Sequence, residues 1–350
     1  MPEARRGPSS GFRGRVRGGA GGGLLLAALL GAGSGRLGRG AAVLEAGVET
    51  LVEGLQFAEG PVWVPEGGDP SLPPETLLFS DIPANTIYAW SENRGLEVFA
   101  GDSGESNGNL LDAEGRLVSC RHGGRDLVVW SRNVTFDSEP TATVLASRYD
   151  GKRLNSPNDA ALHPVDRSIY FTDPSWGLIN KPVESQELPC HGVFRLDPVT
   201  GNVSVVLDNL AMPNGIAFSP EGDILYVSDT GARPDHANPA FASAKPPSTI
   251  RAWAFANGAV ASPDSPLWTV QDFSDGMCFV AGDGLWTTRG GGAEDALGKK
   301  GLVLRDPMTG AEKGLVPLDE PPTNVVCDAP GGQGLLVTAE SRVFRVTLPG

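Results

Sequence analysis

The chain has 350 residues and a formal net charge of −14, from 42 acidic and 28 basic side chains. This balance argues against nucleic-acid binding, which requires a basic surface, and beyond residue 40 no stretch is apolar enough to span a bilayer. Glycine (47) and proline (29) are abundant. Because apolar runs recur between them, they indicate a folded domain with many turns rather than disorder.

The first 42 residues are predicted to be a targeting segment, and residues 43–350 a single folded domain. The segment contains seven arginines, one acidic residue (Glu3) and the apolar run Leu24–Leu30. A basic lead followed by a short apolar core and small residues is typical of a secretory signal, and the run is too short to span a bilayer as a helix. Its arginine-rich character also suits an organelle transit peptide. We therefore expect a secreted or extracytoplasmic protein, with an organellar location as the alternative.

One pattern recurs six times along the rest of the chain and is clearest at Met212–Thr230. A polar residue, which we call the opener, precedes a short apolar run. A turn containing Gly, Pro or Asp follows, and a second apolar run completes a predicted pair of strands. The residues after successive openers are spaced by 48, 51, 56, 61 and 49 positions. The openers are Glu59, Asn107, Asn158, Asn214, Asp275 and Asn324.

Each repeat continues with a third strand, and five of the six have a fourth. Units of roughly 40–50 residues with about four strands each indicate a β-propeller. The sixth repeat has no room for its fourth strand before Gly350, but Thr50–Val52 precedes Glu59 by the same nine positions that separate Val205 from Asn214. The sequence therefore predicts an all-β, six-bladed β-propeller whose last blade is closed by an N-terminal strand, which leaves no open strand edge in the ring.

The openers and the ends of the second strands are expected at one face of the propeller, because the second strand runs back to the face where the first begins. Two long loops, Ser175–Cys190 and Gly231–Ser248, leave from the ends of second strands. Loops of this length in a compact domain are often functional, so we expect them to form partial walls of a site. The second-strand ends are Asp81, His122, Asp173, Asp229, Arg289 and Glu340.

All six openers carry carboxylate or amide side chains. Equivalent positions in a ring of blades point toward a common axis, and oxygens collected there are costly to bury unless a cation is bound among them. A set of oxygens without Cys or His suits a hard cation such as Ca²⁺, Mg²⁺ or Mn²⁺. The competing interpretation is turn chemistry, because Asn, Asp and Gly are also common in turns. Glu59 favours the cation, since glutamate is a poor turn former.

Eight motifs in order give the chain a specific resemblance to a known family. They are AEGPVW (58–63), FSDIPANTIY (79–88), SNG (106–108), RLNSPND (153–159), YFTDPSWG (170–177), PNGIAFSP (213–220), LYVSDT (225–230) and SDGMC (274–278). From about Val48 to Thr347 the chain resembles the gluconolactonase / regucalcin (senescence marker protein) family of six-bladed lactonases. The resemblance implies one divalent metal, calcium or zinc, in the central channel. The ligands implied by the matched motifs are Glu59, Asn158, Asn214 and Asp275.

The resemblance also implies an activity, the metal-dependent opening of a sugar or aldonic acid lactone. The metal would polarise the lactone carbonyl and make a water molecule a better nucleophile. Asp275 is then the candidate general base, or alternatively only a ligand. Asn107 and Arg153 are candidate binders of substrate hydroxyls, and His122 is a further candidate at the same rim because imidazole titrates near neutrality. The alternatives are an exposed loop arginine and a partly exposed loop histidine.

Two other functions remain open from the sequence. Arylesterase-like or strictosidine-synthase-like propeller enzymes share the fold class but not the EGPVW, SPND, PNG and DGMC set. A non-enzymatic binding propeller would hold calcium only for stability. A small-molecule lactone is the one partner predicted, and the sequence gives no oligomeric state.

The cysteines form no CxxC pair, so their spacing does not indicate a zinc or redox site. Cys278 and Cys327 are interpreted as buried thiols of inner strands, with one disulfide as the alternative in a secreted protein. Two sequons, at Asn133 and Asn202, lie between predicted strands and are compatible with glycosylation. The four cysteines are Cys120, Cys190, Cys278 and Cys327.

Overall fold

Six small antiparallel sheets stand in a ring as the blades of a β-propeller. The computed structural model describes residues 42–67, 69–131, 138–179, 181–182, 185–231, 247–280, 282–290, 300–327 and 334–348. These residues belong to one compact unit, Leu37–Gly350. The predicted targeting segment, the sequon at Asn133 and most of the predicted loop 231–248 lie outside the described residues.

The strands of the first three blades follow the chain from the inside of the ring outward. Blade 1 consists of β3 (Ala58–Val64), β4 (Thr76–Asp81), β5 (Thr86–Ser91) and β6 (Gly95–Ala100), after β1 (Ala42–Val43) and β2 (Gly47–Glu53). Blade 2 consists of β7 (Ser106–Leu111), β8 (Leu117–Arg121), β9 (Asp126–Ser131) and β10 (Thr141–Ala146). After the hairpin of β11 (Arg148–Tyr149) and β12 (Lys152–Arg153), blade 3 consists of β13 (Ala160–Leu162), β14 (Ile169–Asp173), β15 (His191–Leu196) and β16 (Val203–Leu210).

The remaining blades repeat this arrangement. Blade 4 consists of β17 (Pro213–Phe218), β18 (Ile224–Asp229), β19 (Thr249–Ala256) and β21 (Trp268–Gln271), with β20 (Ala259–Val260) also paired to β19. Blade 5 consists of β22 (Met277–Val280), β23 (Gly284–Arg289), β24 (Gly301–Arg305) and β25 (Glu312–Pro317). Blade 6 consists of β26 (Pro322–Val326), β27 (Gly334–Ala339), β28 (Arg342–Thr347) and the N-terminal β2.

The N-terminal strand closes the ring, as predicted. β2 pairs antiparallel with β28 in a register that runs from Gly47 opposite Thr347 to Glu53 opposite Arg342. Sequence patterns did not reveal β1, whose two residues pair in parallel with β25 at the outer edge of blade 5. The backbone N–H of Leu44 extends this pairing by donating to Leu315 O at 2.8 Å.

The hydrophobic core is divided among the interfaces between neighbouring blades. Each of six clusters of buried apolar side chains combines residues of two adjacent blades. Second strands such as β4 (TLLFSD) are buried along their whole length, whereas the outer strand β6 (GLEVFA) exposes three consecutive residues, 96–98, to solvent. Strands packed on both faces require continuous apolar runs, which explains why the inner runs were easy to recognise in the sequence.

A disulfide joins Cys278 of β22 to Cys327, which follows β26, and their Cα atoms are 5.7 Å apart. The interpretation of these two residues as thiols is therefore corrected. They occupy equivalent positions in adjacent repeats, and the inner strands of blades 5 and 6 run side by side at this point. Cys120 and Cys190 are free, the first buried and the second half-buried. Among the described residues, no helix has the length and apolarity needed to cross a membrane.

Candidate active site

The openers meet around the central channel because their backbones contact one another from blade to blade. The N–H of Gly108 donates to Asn158 O at 2.8 Å, and the N–H of Gly215 donates to Asp275 O at 3.1 Å. A Cβ added to either glycine would lie 2.6 Å or 2.2 Å from the same carbonyl oxygens. Glycine after the opener is therefore required by the close approach of the next opener, rather than by a turn.

Hydroxyl groups on second strands hold the opener backbones in place. Each of three hydroxyls donates to the main-chain carbonyl of the opener in the next blade at 2.8 Å. The carbonyls of these three openers are thus satisfied without their side chains, which line the channel. The pairs are Ser80 with Asn107, Thr172 with Asn214 and Ser228 with Asp275.

Aspartates at the ends of second strands fasten the loop that leads into the opener of their own blade. Asp81 accepts from the N–H groups of Gln56 and Phe57, both at 3.0 Å. Asp229 accepts from Ala211 N at 3.0 Å and from Met212 N at 2.8 Å. These carboxylates therefore act as backbone caps.

The same position carries an aspartate in blade 3 and an arginine in blade 5. Asp173 accepts from the N–H of Asn155 at 2.7 Å, three residues before the opener Asn158. In blade 5 the charges are exchanged, because Arg289 ends the second strand and its Nε donates to Asp272 at 3.0 Å. Of the six predicted strand ends, His122 and Glu340 are the two that line the cavity described next.

A cavity of about 310 Å³ opens at the face where the inner strands begin. It brings together five openers, Glu59, Asn107, Asn158, Asn214 and Asp275, together with His122. Trp176 also lines it and belongs to the loop Ser175–Cys190, which was expected to form a partial wall, but sequence reasoning named none of the other wall residues individually. Those further lining residues are Phe57, Ile82, Trp176, Thr230, Phe273, Gly290, Pro321, Pro322 and Thr323.

The carboxylates in this cavity lie in an environment that disfavours negative charge. Glu59 is 3 % exposed, and burial followed by the charges of Asp275 and Asp159 raises its pKa well above the ordinary value. Loss of hydration in the channel and the charge of Asp159 raise the pKa of Asp275 to about 8, opposed by a hydrogen bond from Asn214. Burial raises the pKa of Asp159 to about 6. A cation bound here would relieve this repulsion.

Asn324 connects two of these carboxylates. Its Nδ2 donates to Glu59 Oε2 at 3.3 Å and lies 3.4 Å from Asp159 Oδ2, while its Oδ1 accepts from Val325 N at 2.8 Å. This opener is therefore turned away from the cavity that the other five share. Asp159 and Asn324 instead line a second cavity of about 350 Å³, which lies further along the inner strands and contains none of the four predicted ligands.

The donor set fits a hard divalent cation. Glu59, Asn158, Asn214 and Asp275 offer oxygens only, and among the described residues that line the cavity there is no lysine or arginine to neutralise the two carboxylates. In the same cavity, Asn107 Oδ1 is buried without a hydrogen-bond partner. No three His, Cys, Asp or Glu side chains in the described part of the chain gather into a metal-holding group. The predicted quartet differs from such a group because half of it is asparagine.

Two of the predicted substrate binders have different environments. Burial lowers the pKa of His122 to about 4, so its imidazole is neutral at physiological pH, and its Nε2 lies 3.1 Å from Asn107 Nδ2. Arg153 is not among the described residues that line the cavity. Its Nη2 donates to Gly124 O at 3.0 Å, and its backbone N–H donates to Glu187 Oε2 at 2.8 Å. Contact between Arg153 and substrate stays a prediction.

These features define a class: a closed six-bladed propeller with an oxygen-rich site where its inner strands begin. Residues 57–341 match the family model described as SMP-30/Gluconolactonase/LRE-like region, and the chain belongs to this family. The resemblance inferred from the motifs is thereby confirmed.

Individual relatives agree with this assignment. The chain is 34% identical to a gluconolactonase of Zymomonas mobilis over 211 residues, which cover 55% of this chain and 53% of the relative. It is 34% identical to the lactonohydrolase oryH of Aspergillus oryzae over 246 residues, which cover 67% of this chain and 50% of the relative. The chain thus aligns with about half the length of these curated relatives.

Solved structures extend the comparison over most of the chain. A gluconolactonase of Xanthomonas campestris is 32% identical, with 88% of this chain and 92% of that one covered and a TM-score of 0.70. Regucalcin from Agrobacterium tumefaciens, at 17% identity and a TM-score of 0.63, shares the fold. These matches cover most of this chain and most of each solved structure.

Proposed function

We propose that the protein is a metal-dependent hydrolase that opens the ring of a sugar or aldonic acid lactone. The observation that carries this proposal is the group of oxygen donors, including the carboxylates of Glu59 and Asp275, at a cavity of about 310 Å³. Such a cavity is at the lower end of the usual range for small-molecule sites, which suits a single ring. The gluconolactonase and lactonohydrolase relatives support the same class of substrate.

The chain supplies the ligands, a base and a partly apolar enclosure. Glu59, Asn158, Asn214 and Asp275 would hold the cation, which when bound polarises a carbonyl and lowers the pKa of water. Asp275 is only partly buried and lines the cavity. Its carboxylate would accept the proton of the water that attacks the lactone carbonyl. Without metal the pKa of Asp275 is raised to about 8, and a bound cation would lower it and so keep the carboxylate ionised near neutral pH.

The walls of the cavity serve orientation and the exclusion of water. Phe57, Trp176 and Phe273 line it with apolar surface, and Thr230 and Glu340 add polar groups. Apolar walls strengthen the electrostatic interactions of the carboxylates within the site. The polar groups would receive the hydroxyls of a sugar-derived ring.

Gluconolactone hydrolysis by chelator-treated protein, with and without added Ca²⁺, Zn²⁺, Mg²⁺ or Mn²⁺, tests the proposal. We expect turnover only with metal, and its loss in Asn158→Ala and Asp275→Ala. Asn209→Ala, which removes an exposed side chain of the outer strand β16, is the matched control. Full metal-dependent turnover in both site variants would refute the proposed site. Metal that raises the melting temperature while no lactone is cleaved would favour the non-enzymatic binding interpretation.

We further propose that the protein works in an oxidising compartment, either secreted or otherwise extracytoplasmic. The charge and apolar pattern of residues 1–42 motivates this, and the disulfide between Cys278 and Cys327 supports it, because disulfides persist mainly outside the cytosol. Cell fractionation together with N-terminal sequencing of the purified protein tests it. An uncleaved, cytosolic protein in which both cysteines are free thiols would contradict it.

A further inference from the structure

The side chain of Asn107 has one atom that the proposed mechanism does not use. Asn107 is 3 % exposed and lines the cavity, and its Oδ1 makes no hydrogen bond. A buried amide oxygen without a partner is destabilising, so it requires an explanation. A ligand in the cavity would provide one.

The other end of the same amide shows why the oxygen faces this way. Asn107 Nδ2 lies 3.1 Å from His122 Nε2. An amide nitrogen can only donate, so the imidazole nitrogen must accept, which places the histidine proton on Nδ1. His122 is itself buried, with 8 % of its surface exposed. In this arrangement the amide nitrogen is used by the imidazole, and the amide oxygen is left for another partner.

His122 is itself held in place from two sides. Its backbone N–H donates to Glu105 O at 3.0 Å. The 3₁₀ segment Trp176–Leu178 packs against it so closely that a Cβ on Gly177 would lie 2.9 Å from His122 Cβ. These contacts fix the backbone and Cβ from which the imidazole extends to Asn107.

The backbone places this oxygen in the ring of proposed ligands. Asn107 O accepts from Ser80 Oγ at 2.8 Å, and the next residue, Gly108, donates its N–H to Asn158 O at 2.8 Å. A Cβ on Gly60, directly after Glu59, would lie 2.1 Å from Asn107 O. Asn107 thus occupies the ring position between the proposed ligands of blades 1 and 3.

From this geometry we propose that Asn107 Oδ1 is a further oxygen ligand of the cation, and that His122 is a positioning residue which turns the oxygen, rather than the nitrogen, toward it. This assignment rests on the cation of the proposed function. It differs from the sequence-based prediction that both residues bind substrate, because it gives Asn107 a role that remains when no lactone is present.

Calcium titration of chelator-treated full-length protein by calorimetry, without substrate, tests the assignment. We expect Asn107→Leu to weaken Ca²⁺ binding at least about tenfold, and His122→Phe, which keeps the ring but removes the acceptor, to weaken it roughly 10–100-fold. Asn107→Asp provides the decisive background, because a carboxylate presents oxygen in either orientation. In Asn107→Asp protein, the additional change His122→Phe should therefore leave Ca²⁺ affinity nearly unchanged. Melting curves of the metal-free proteins check that each variant is folded.

The outcomes separate this inference from the proposed function. Wild-type Ca²⁺ affinity in Asn107→Leu, with only the KM for gluconolactone raised, would show that Asn107 contacts substrate and would overturn the inference while leaving the proposed function standing. Equal losses from His122→Phe in both backgrounds would show that the imidazole acts by packing, which overturns its positioning role. Absence of binding of Ca²⁺ and, in a parallel titration, of Zn²⁺ to the wild-type protein would end both proposals.

Discussion

The disulfide between Cys278 and Cys327 is expected to be a large single contribution to stability. It ties the inner strands of blades 5 and 6 across a sequence separation of 49 residues. In the chain-entropy treatment, closing a loop of that size in the unfolded chain is worth about 4 kcal/mol. For a domain of roughly 300 residues, with an unfolding entropy of about 2 cal/mol/K per residue, this corresponds to a fall of about 6 °C in melting temperature.

Calorimetric melting of the double variant Cys278→Ser/Cys327→Ser measures this effect. Cys190→Ser is the matched control, because Cys190 is a half-buried free thiol, and we expect it to melt close to the wild type. A thiol reductant should lower the melting temperature of the wild-type protein and leave the double variant unchanged. A double variant that melts with the wild type, or that responds equally to reductant, would refute the stabilising role of the bond.

Three further substitutions test the supports of the ring. Asp81→Ala removes the acceptor of two backbone N–H groups, and we expect urea denaturation to show that the free energy of unfolding falls by about 1–3 kcal/mol. An unchanged urea midpoint would mean that water replaces the carboxylate. Gly276→Ala puts a Cβ 1.9 Å from Asn324 Oδ1 and should lower the melting temperature. The control is Gly101→Ala, whose Cβ meets one side-chain atom at 4.0 Å. Equal melting temperatures of the two variants would contradict the close packing at Gly276. Burial raises the pKa of Asp173 to about 7, so its contribution to stability is complete below about pH 4 and is lost as the pH rises through about 7. At saturating Ca²⁺, the free energy of unfolding of Asp173→Asn should therefore fall less between pH 4 and 7 than that of the wild type. Parallel curves of free energy against pH would contradict the raised pKa of Asp173.

The propeller could be predicted because its repeats are local. Each opener, apolar run and turn lies within about twenty residues, and buried second strands leave continuous apolar runs such as Leu77–Phe79. The closing strand could be predicted from spacing alone, since Thr50 stands before Glu59 as Val205 stands before Asn214. The grouping of five openers at one cavity follows from the same repetition, because equivalent positions in a ring must meet.

The features that escaped prediction depend on contacts between repeats or outside them. The two residues of β1 add to the edge of blade 5, which is far away in sequence and marked by no pattern. The disulfide did have a signal, because Cys278 and Cys327 hold equivalent positions in adjacent repeats, and inner strands of neighbouring blades are close enough to bridge. The loop Ser175–Cys190 was expected at the site, but its side chain that reaches the cavity was not, because Trp176 lies in a 3₁₀ turn where periodicity gives no information about direction.

The structure separates the features that build the ring from those that face its channel. Ser80, Thr172 and Ser228 satisfy opener carbonyls, and second-strand aspartates fasten the loops before the openers. Two openers, Glu59 and Asn324, also accept from the N–H groups of Gly60 and Val325, whereas Asn158 and Asn214 line the cavity. An opener side chain can then be exchanged at small cost to the fold, while any charge it brings must be balanced from within the channel. This explains why two carboxylates are tolerated at a site without a basic neighbour among its described lining residues. On this argument Asn158→Ala should melt near the wild type when metal-free and should lose the stabilisation that Ca²⁺ gives the wild type. A large loss of stability in the metal-free variant would show instead that Asn158 supports the ring itself.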